Sequence, residues 1–392
     1  MRRAVGLAKW GSEVGGESHD VIIIGAGVAG ISLSYFLTEL GVTDILILER
    51  ESQPAYHATG RSAAVLVELD TIPALHQLKV QSAGFFRDPP SKFSEYPLLQ
   101  QSGALLLFGG PMWNMLRQAA RSLEEMGTRL ELLSPAEAVA RVPVLSEEHF
   151  EGAVLLPEDG QMDVHQLLQS YTHHARKRGA VQQLNTEVEA IRVENGRSVG
   201  VETRAGAFRA RWIVNAAGAW AGTVGRMAGA APIGFVPHRR TIVTFPVPEG
   251  VDVSGWPLVQ SEVHKFYFRP ESGGLLLLCP MDEDPMEPCD ARPDDLVVAE
   301  GIERLTRMVP RLAPRTIRRA WSGLRTFSAD RVPVVGEDPR LPGFFWLAGQ
   351  GGCGIETSPI MGQVAADLLV SGKTDRFDAQ LLSPSRPALS AS

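Results

Sequence analysis

Val21-Ile22-Ile23-Ile24 is apolar at every position, with none of the alternation of a half-exposed strand. Such a run predicts a parallel strand buried on both faces. Gly25-Ala26-Gly27-Val28-Ala29-Gly30 follows directly. Ile31, Leu33, Phe36, Leu37 and Leu40 then share one helical stripe, which Gly41 stops. Asp44–Glu49 reads as a second strand. Together they make a βαβ unit of about 30 residues. Further along, Val188–Val193 and Val199–Val201 flank Asn195-Gly196, the signature of a β-hairpin. Ala210–Asn215 is a strand that runs into the small residues Ala216-Ala217-Gly218-Ala219. Gly343–Ile355 ends in a second glycine cluster and leads into a helix from about Ser358 to Leu369.

Composition narrows the class. Of 392 residues, 44% are hydrophobic and 21% charged, which excludes a disordered chain. The length suits two or three domains. No run of about 18 uncharged apolar residues suggests a membrane span. A net charge of −7 argues against nucleic acid held by a general basic field. The three cysteines are too few for a disulfide framework, and no CxxC or CxxH pair suggests zinc. No metal site is expected, and free thiols suit a reducing cytoplasm. Residues 1–19 read as a loose arm rather than a secretory signal, despite Arg2-Arg3. Residues 383–392, starting Ser383-Pro384-Ser385-Arg386-Pro387, read as a flexible tail.

The first glycine cluster has the context that makes its pattern specific: a strand before it, a helix after it, and Glu49 about 20 residues on. Gly25 suits the tight turn, Gly27 the approach of a pyrophosphate, and Gly30 the packing of helix on strand. The helix N-terminus, with Ala26, Val28 and Ala29, offers N–H groups to phosphates. Glu49 would accept hydrogen bonds from ribose hydroxyls. The fingerprint alone does not separate FAD from NAD. The hairpin, the Ala-Ala-Gly strand end and the second glycine cluster favour the larger cofactor.

Several segments then resemble the D-amino-acid oxidase superfamily of FAD-dependent amine oxidoreductases. They are Tyr56-His57-Ala58-Thr59-Gly60-Arg61-Ser62-Ala63-Ala64, Phe85-Phe86-Arg87-Asp88-Pro89-Pro90, Asn215–Trp220, Pro237-His238-Arg239-Arg240, Phe266-Tyr267, Trp321-Ser322-Gly323-Leu324-Arg325 and Gln350–Ile355. The likeness extends from Asp20 to about Pro384, and within the superfamily it is nearest the bacterial catabolic D-arginine dehydrogenases. It implies an α/β fold in which a Rossmann-type FAD domain is intertwined with an α+β substrate domain built on an antiparallel sheet. The expected FAD domain takes 20–105, 152–233 and 326–382, and the substrate domain 106–151 and 234–325. Besides the fingerprint, the implied cofactor contacts are Arg50, Thr59, Arg61, Ser62, Ala63, Ala64, Val188, Ala217, Gly218, Trp220, Gly349, Gly351, Gly352, Cys353, Gly354 and Ile355. The resemblance implies noncovalent rather than covalent FAD. His57 matches a flavin-linking His of dimethylglycine dehydrogenase-like relatives, but in a different context.

The chemistry so implied is oxidative deamination of a D-amino acid. Hydride passes from the α-carbon to flavin N5, and the resulting imine hydrolyses in water. A substrate carboxylate needs a cationic clamp, and an arginine fork suits it. Arg325 matches the superfamily's arginine position, Arg240 and Tyr267 match further substrate contacts, and Gly352 and Glu356 lie in the glycine-rich segment beside them. Arg239 is the competitor of Arg240, because neighbours on a strand face opposite ways. The departures bear on the substrate. Ala104 stands where the D-arginine enzymes carry the acid that binds the guanidinium. Val65 replaces a His, Asp70 a gating Tyr, and Glu356 a Gln. Glu356 and Glu68 are candidates to receive an amine. Glycine- or sarcosine-type N-methyl amino acid oxidation is the alternative reading. A non-catalytic flavoprotein or assembly factor is a third, and a plain NAD dehydrogenase the weakest. The electron acceptor is left open among oxygen, a quinone and others. A cytoplasmic location is expected, with peripheral membrane association if the acceptor is a quinone.

Overall fold

The computed structural model describes residues 17–389. In chain order the first elements are β1 (Glu17–Ile24), α1 (Val28–Glu39), β2 (Ile45–Leu48), β3 (Val65–Leu66), α2 (Pro73–Arg87), β4 (Leu99–Gln100), β5 (Ala104–Phe108) and α3 (Gly110–Glu125). They continue with β6 (Glu131–Leu133), α4 (Pro135–Arg141), β7 (Gly152–Leu156), β8 (Gly160–Met162), α5 (Val164–Lys177), β9 (Val181–Gln183), β10 (Val188–Glu194), β11 (Arg197–Thr203) and β12 (Gly206–Asn215). The rest are α6 (Ala221–Ala228), β13 (Val236–Pro246), β14 (Leu258–Ser261), β15 (Phe266–Glu271), β16 (Leu275–Cys279), α7 (Asp295–Met308), β17 (Arg319–Phe327), β18 (Val334–Glu337), β19 (Phe344–Ala348), β20 (Gln350–Gly351) and α8 (Ser358–Ser371).

One eight-stranded sheet is centred on β1, which runs parallel to β2 and β12. Side chains of β1 and β2 alternate between its two faces as strand geometry requires. Val21, Ile23, Ile45 and Ile47 join the core under α1, α5 and α8. Ile22, Ile24, Leu46 and Leu48 join the core on the opposite face. The long β12 changes partner along one edge. Its first half pairs with β11 of the expected hairpin, and its second half with β19.

The second sheet has nine strands in the order β20-β17-β13-β16-β15-β14-β5-β7-β6. Leu105, Leu107, Val243, Phe266 and Leu278 face a core closed by α4 and α7. Leu106, Phe108, Ile242, Tyr267 and Cys279 face the other way, toward α3. β20 stitches the second glycine cluster to this sheet, pairing Gly351 with Thr326 and Gln350 with Phe327. The sheet takes β5, which crosses the boundary expected at 105, and β7, which lies wholly in the segment 152–233 expected in the FAD domain.

The flexible ends need correction where they fall on described residues. Glu17–His19 are the first rungs of the β1 ladder, paired to Phe208–Ala210. In the tail, Arg386 is buried. Its guanidinium meets both carboxylate oxygens of Asp330, at 2.7 and 2.8 Å, and donates to Val332 O. Leu389 is buried as well. A Ser/Pro composition does not register an ion pair to a residue more than fifty positions away. Residues 1–16 and 390–392 lie outside the described residues. Among the described residues no helix is long and apolar enough to cross a membrane.

Candidate active site

The turn from β1 to α1 opens a crevice at the C-terminal edge of the first sheet. Gly25 has φ +105°, and a Cβ there would lie 2.6 Å from Ala216 O. Both facts exclude a side chain. A Cβ on Gly30 would run into Gly25 O, so this glycine sets the packing of α1 on β1. Glu49 is held by two backbone donors, Ala26 N–H at 2.8 Å and Glu51 N–H at 3.0 Å. Val28 N–H donates to Thr59 Oγ1 at 3.1 Å. No acid lies in the first turn of α1, and its N-cap residue Gly27 has no side chain to offer, so Thr59 Oγ1 on Val28 N–H is a neutral contact. The helix N-terminus is left to an anion.

This crevice is lined by Gly25, Gly27, Glu49, Arg50, Thr59, Arg61, Val188, Ala217, Gly218 and Trp220. Arg50 stacks over Trp220, with Cζ 3.8 Å from the ring centroid. A second stretch shares Gly27, Thr59, Arg61 and Gly218 with it. That stretch continues along Val28, Ala29, Ser62, Ala63, Gly351, Gly352, Gly354 and Ile355 to Arg240 and Arg325. The two form one long trench, whose far end touches the second sheet.

There the ladder register gathers polar side chains on one face. Arg240 opposes Gly323 across β13 and β17, and Arg325 opposes His238. Arg240 and Arg325 are therefore diagonal neighbours on the same face. Tyr267 opposes Cys279, which by alternation shares the face of Ile242 and Arg240. Arg239 takes the opposite face, among Asp282, Asp284 and Asp294 at 2.7–3.4 Å. This separates the two adjacent arginines. Arg240 reaches Glu283 at 3.3 Å, and its Nε has no partner. Arg331 holds Glu283 more closely, at 2.7 Å. The Arg325 side chain makes no hydrogen bond or ion pair among the described residues. Burial and the neighbouring Arg240 charge push its pKa below the usual arginine value. Burial pushes the Tyr267 hydroxyl up, so it remains a donor.

These groups border a cavity of about 690 Å³. On another wall Lys79 Nζ pairs with Asp70 at 2.9 Å and lies 3.8 Å from Glu356 Oε2. Val67 N–H donates to the same oxygen at 2.9 Å. Burial raises the Glu356 pKa, opposed by the Lys79 charge and the Val67 hydrogen bond. Lys79 is itself pushed up, because Glu356 and Asp70 outweigh its desolvation.

A family model for DAO, described as FAD dependent oxidoreductase, matches residues 20–368. The chain belongs to this family of FAD-dependent oxidoreductases. It is 29% identical to mitochondrial sarcosine dehydrogenase of Mus musculus, over 91% of this chain but only 40% of that protein. It is 28% identical to glycine oxidase of Geobacillus kaustophilus, over 92% of this chain and 95% of that one. The crystal structure of a glycine oxidase from Geobacillus kaustophilus superposes with a TM-score of 0.81, at 26% identity, covering 94% of this chain and 99% of that chain.

In this FAD-dependent oxidoreductase the trench fits its cofactor. A turn stripped of side chains, a helix N-terminus without an acid and the anchored Glu49 suit a nucleotide and its pyrophosphate. The second stretch, edged by glycines, leaves width for a flat ring system. Not every expected contact lies on it. Ala26 is fully buried in the core, with its N–H given to Glu49. Gly349 has φ +73° and stands against Phe235, where a Cβ would come within 2.9 Å of the ring, so its role is packing. Ala64 and Cys353 line the large cavity instead. The Cys353 thiol donates to Gln350 O, and burial raises its pKa to about 12, which leaves it unreactive. His57 lines only the first crevice, bonded to Glu51 at 2.9 Å. Glu68 is 1% exposed; its carboxylate pairs with Arg87 and its backbone N–H donates to Asp159, off the cavity. Ala104 lies fully buried in β5, while Leu106 and Phe108 of its face line the cavity. The sequence reading missed Lys79. Its signal was a lysine on the apolar stripe of α2 with Leu75, Leu78 and Ser82, where a charge needs a partner.

Proposed function

We propose that this chain oxidises the carbon–nitrogen bond of an amino acid, with its FAD along the trench and its substrate in the adjoining cavity. One observation carries the reading: Arg325 and Arg240 share one sheet face at the end of the trench, and Arg325 has no acid partner among the described residues. Two like charges side by side in a buried place are unfavourable unless an anion joins them. A substrate carboxylate is that anion.

When bound, FAD supplies the acceptor for the hydride that leaves the substrate carbon. Arg325 takes the carboxylate through its planar fork. Arg240, partly engaged by Glu283, assists, and the Tyr267 hydroxyl donates a further hydrogen bond. Gly352 leaves the Arg325 guanidinium room beside the trench. Glu356 faces the amine and takes its proton, because the electron pair on nitrogen must be free before hydride departs. Lys79 holds Glu356 in place.

The leading reading is a D-amino acid without a cationic side chain, supported by the apolar face that holds Ala104. A second reading is an N-methylated glycine or glycine itself. It is supported by the likeness to sarcosine dehydrogenase and glycine oxidase. An anaerobic panel of D-, L- and N-methyl amino acids separates them, read by bleaching of the flavin absorbance. Bleaching by D-amino acids supports the first and bleaching by sarcosine the second. No bleaching by any amino acid overturns both.

A further inference from the structure

The cavity continues well beyond the polar groups that would grip a carboxylate and an amine. Its far wall is one face of α3. Met112, Leu116, Ala119, Leu123 and Met126 recur there at the spacing of a single helical stripe, with Met115 beside it. Met112, Met115 and Met126 are 38%, 48% and 45% exposed. Trp113, on the neighbouring flank, is buried against Gly152. Leu116, Leu123 and Trp113 anchor the helix in one core cluster, and Met112, Met115 and Met126 carry its apolar surface outward along the cavity. Leu106 and Phe108 of β5 continue that surface.

The ionic groups around this part of the cavity are already matched. Lys265 pairs with Glu262 at 2.7 Å, and Arg331 with Glu283 at 2.7 Å. A charged substrate tail laid against α3 would find no free counter-ion among the described residues, and burying it would be costly. An apolar tail would find thioethers that adjust to its shape. A substrate the size of glycine would leave the apolar wall of Met112, Met115, Leu116 and Met126 facing water.

Resting on the amino acid reading above, we propose that the substrate class is monocarboxylic amino acids with a long apolar side chain, the carboxylate on Arg325 and the chain along the methionine face of α3. Each methylene added along that wall removes further apolar surface from water. This is an increment of about three- to fourfold in kcat/KM.

The test uses the FAD-loaded protein and an unbranched series from alanine through 2-aminobutyrate and norvaline to norleucine, both enantiomers. Glycine, sarcosine and arginine serve as references. Flavin bleaching is followed under anaerobic conditions. The expected result is a rise of about three- to fourfold per methylene. Ala119→Phe, which fills the space beside the wall, should shrink the norleucine-to-alanine ratio at least tenfold. Met115→Glu, at a half-exposed position that tolerates a charge, should raise the arginine-to-norleucine ratio at least tenfold. A flat or falling series with glycine or sarcosine best overturns the substrate class and leaves the amino acid reading standing. The same holds if both variants leave the ratios untouched. If a short-tailed quinone is reduced at a rate that Met115→Glu abolishes while the amino acid series is flat, the wall serves the electron acceptor and the proposal fails. If no amino acid bleaches the flavin, both the function and this inference fall together.

Discussion

Arg325 and Gly352 are in such close contact that a Cβ built on Gly352 would lie 2.6 Å from Nη1 and 2.8 Å from Cζ of Arg325. The second glycine cluster therefore sets the position of the cation as well as the width of the trench. Gly352→Ala should push the guanidinium aside. The obstructed atoms are the far end of a side chain, so the fold should tolerate the change. The expected outcome is a fall of about tenfold or more in kcat/KM for carboxylate substrates. FAD content and Tm should stay near those of the parent. Parallel loss of FAD would instead place the effect on the cofactor.

Arg325→Met keeps much of the stem and removes the fork. A lost charge-assisted contact of this kind costs about 2–5 kcal/mol, largely because the carboxylate is left unpaired. That is a drop of roughly 30- to several-thousand-fold in kcat/KM. Arg240→Met should cost less, because Arg240 already shares its charge with Glu283. Arg325→Lys should recover only part, since a point charge cannot reproduce two parallel hydrogen bonds. An amine without a carboxylate should be turned over almost equally by parent and variant. Equal losses on both kinds of amine would exclude the carboxylate role.

Two glycines of the first cluster should fail in different ways. On Gly30 a Cβ collides with the Gly25 carbonyl, a backbone atom that cannot step aside. Gly30→Ala should lower stability by about 1–3 kcal/mol or more and give protein largely free of FAD. On Gly27 a Cβ would meet only Thr59 Oγ1, at 3.4 Å. Gly27→Ala should keep its fold without cofactor and lose FAD affinity alone. Denaturant titration of the FAD-free proteins and FAD titration by fluorescence quenching separate the two.

Lys79 carries a pH dependence of definite sign. Its pKa is raised in the folded state by Glu356 and Asp70. Its contribution is therefore complete at neutral pH and is lost only as strongly alkaline pH passes the raised value. Lys79→Met leaves two carboxylates at a buried place without their cation, a loss of about 3–5 kcal/mol near pH 7. Glu356 is already raised by burial and would rise further without Lys79. A raised carboxyl favours folding below its unfolded value and loses that contribution as pH climbs through the folded one. The Tm deficit of the variant should accordingly be smaller at pH 5 than at pH 7.5. A deficit independent of pH would show that Lys79 acts through packing alone.

FAD should be released by acid precipitation and appear in the supernatant. His57 Nε2 is engaged with Glu51, at the crevice end away from Arg325 and Gly352. Yellow colour retained in the pellet, and abolished by His57→Ala, would reverse this expectation.

What the sequence determined by itself was local. The apolar run Val21–Ile24, the glycines at 25, 27 and 30 and the acid at Glu49 are constrained by one strand, one turn and one helix, all within about 30 residues. Their positions follow from backbone geometry and dipole direction. The hairpin around Asn195-Gly196 and the helix after the second glycine cluster were legible for the same reason. The distinction between Arg239 and Arg240 was not. It depends on which face of β13 meets Asp282 and Asp284 and which meets the cavity, and that is a matter of register with β17 and β16. Nor could the sequence separate Glu68 from Glu356. Both are buried acids, but Arg87 engages the first away from the cavity, while Lys79 holds the second on its wall. The buried Arg386–Asp330 pair overruled a tail that composition read as flexible. Backbone preference acts between neighbours in sequence, and the chain reports it directly. The pairing of charges and the side of a sheet on which a residue lands are decided between segments far apart, and only the assembled structure brings those together.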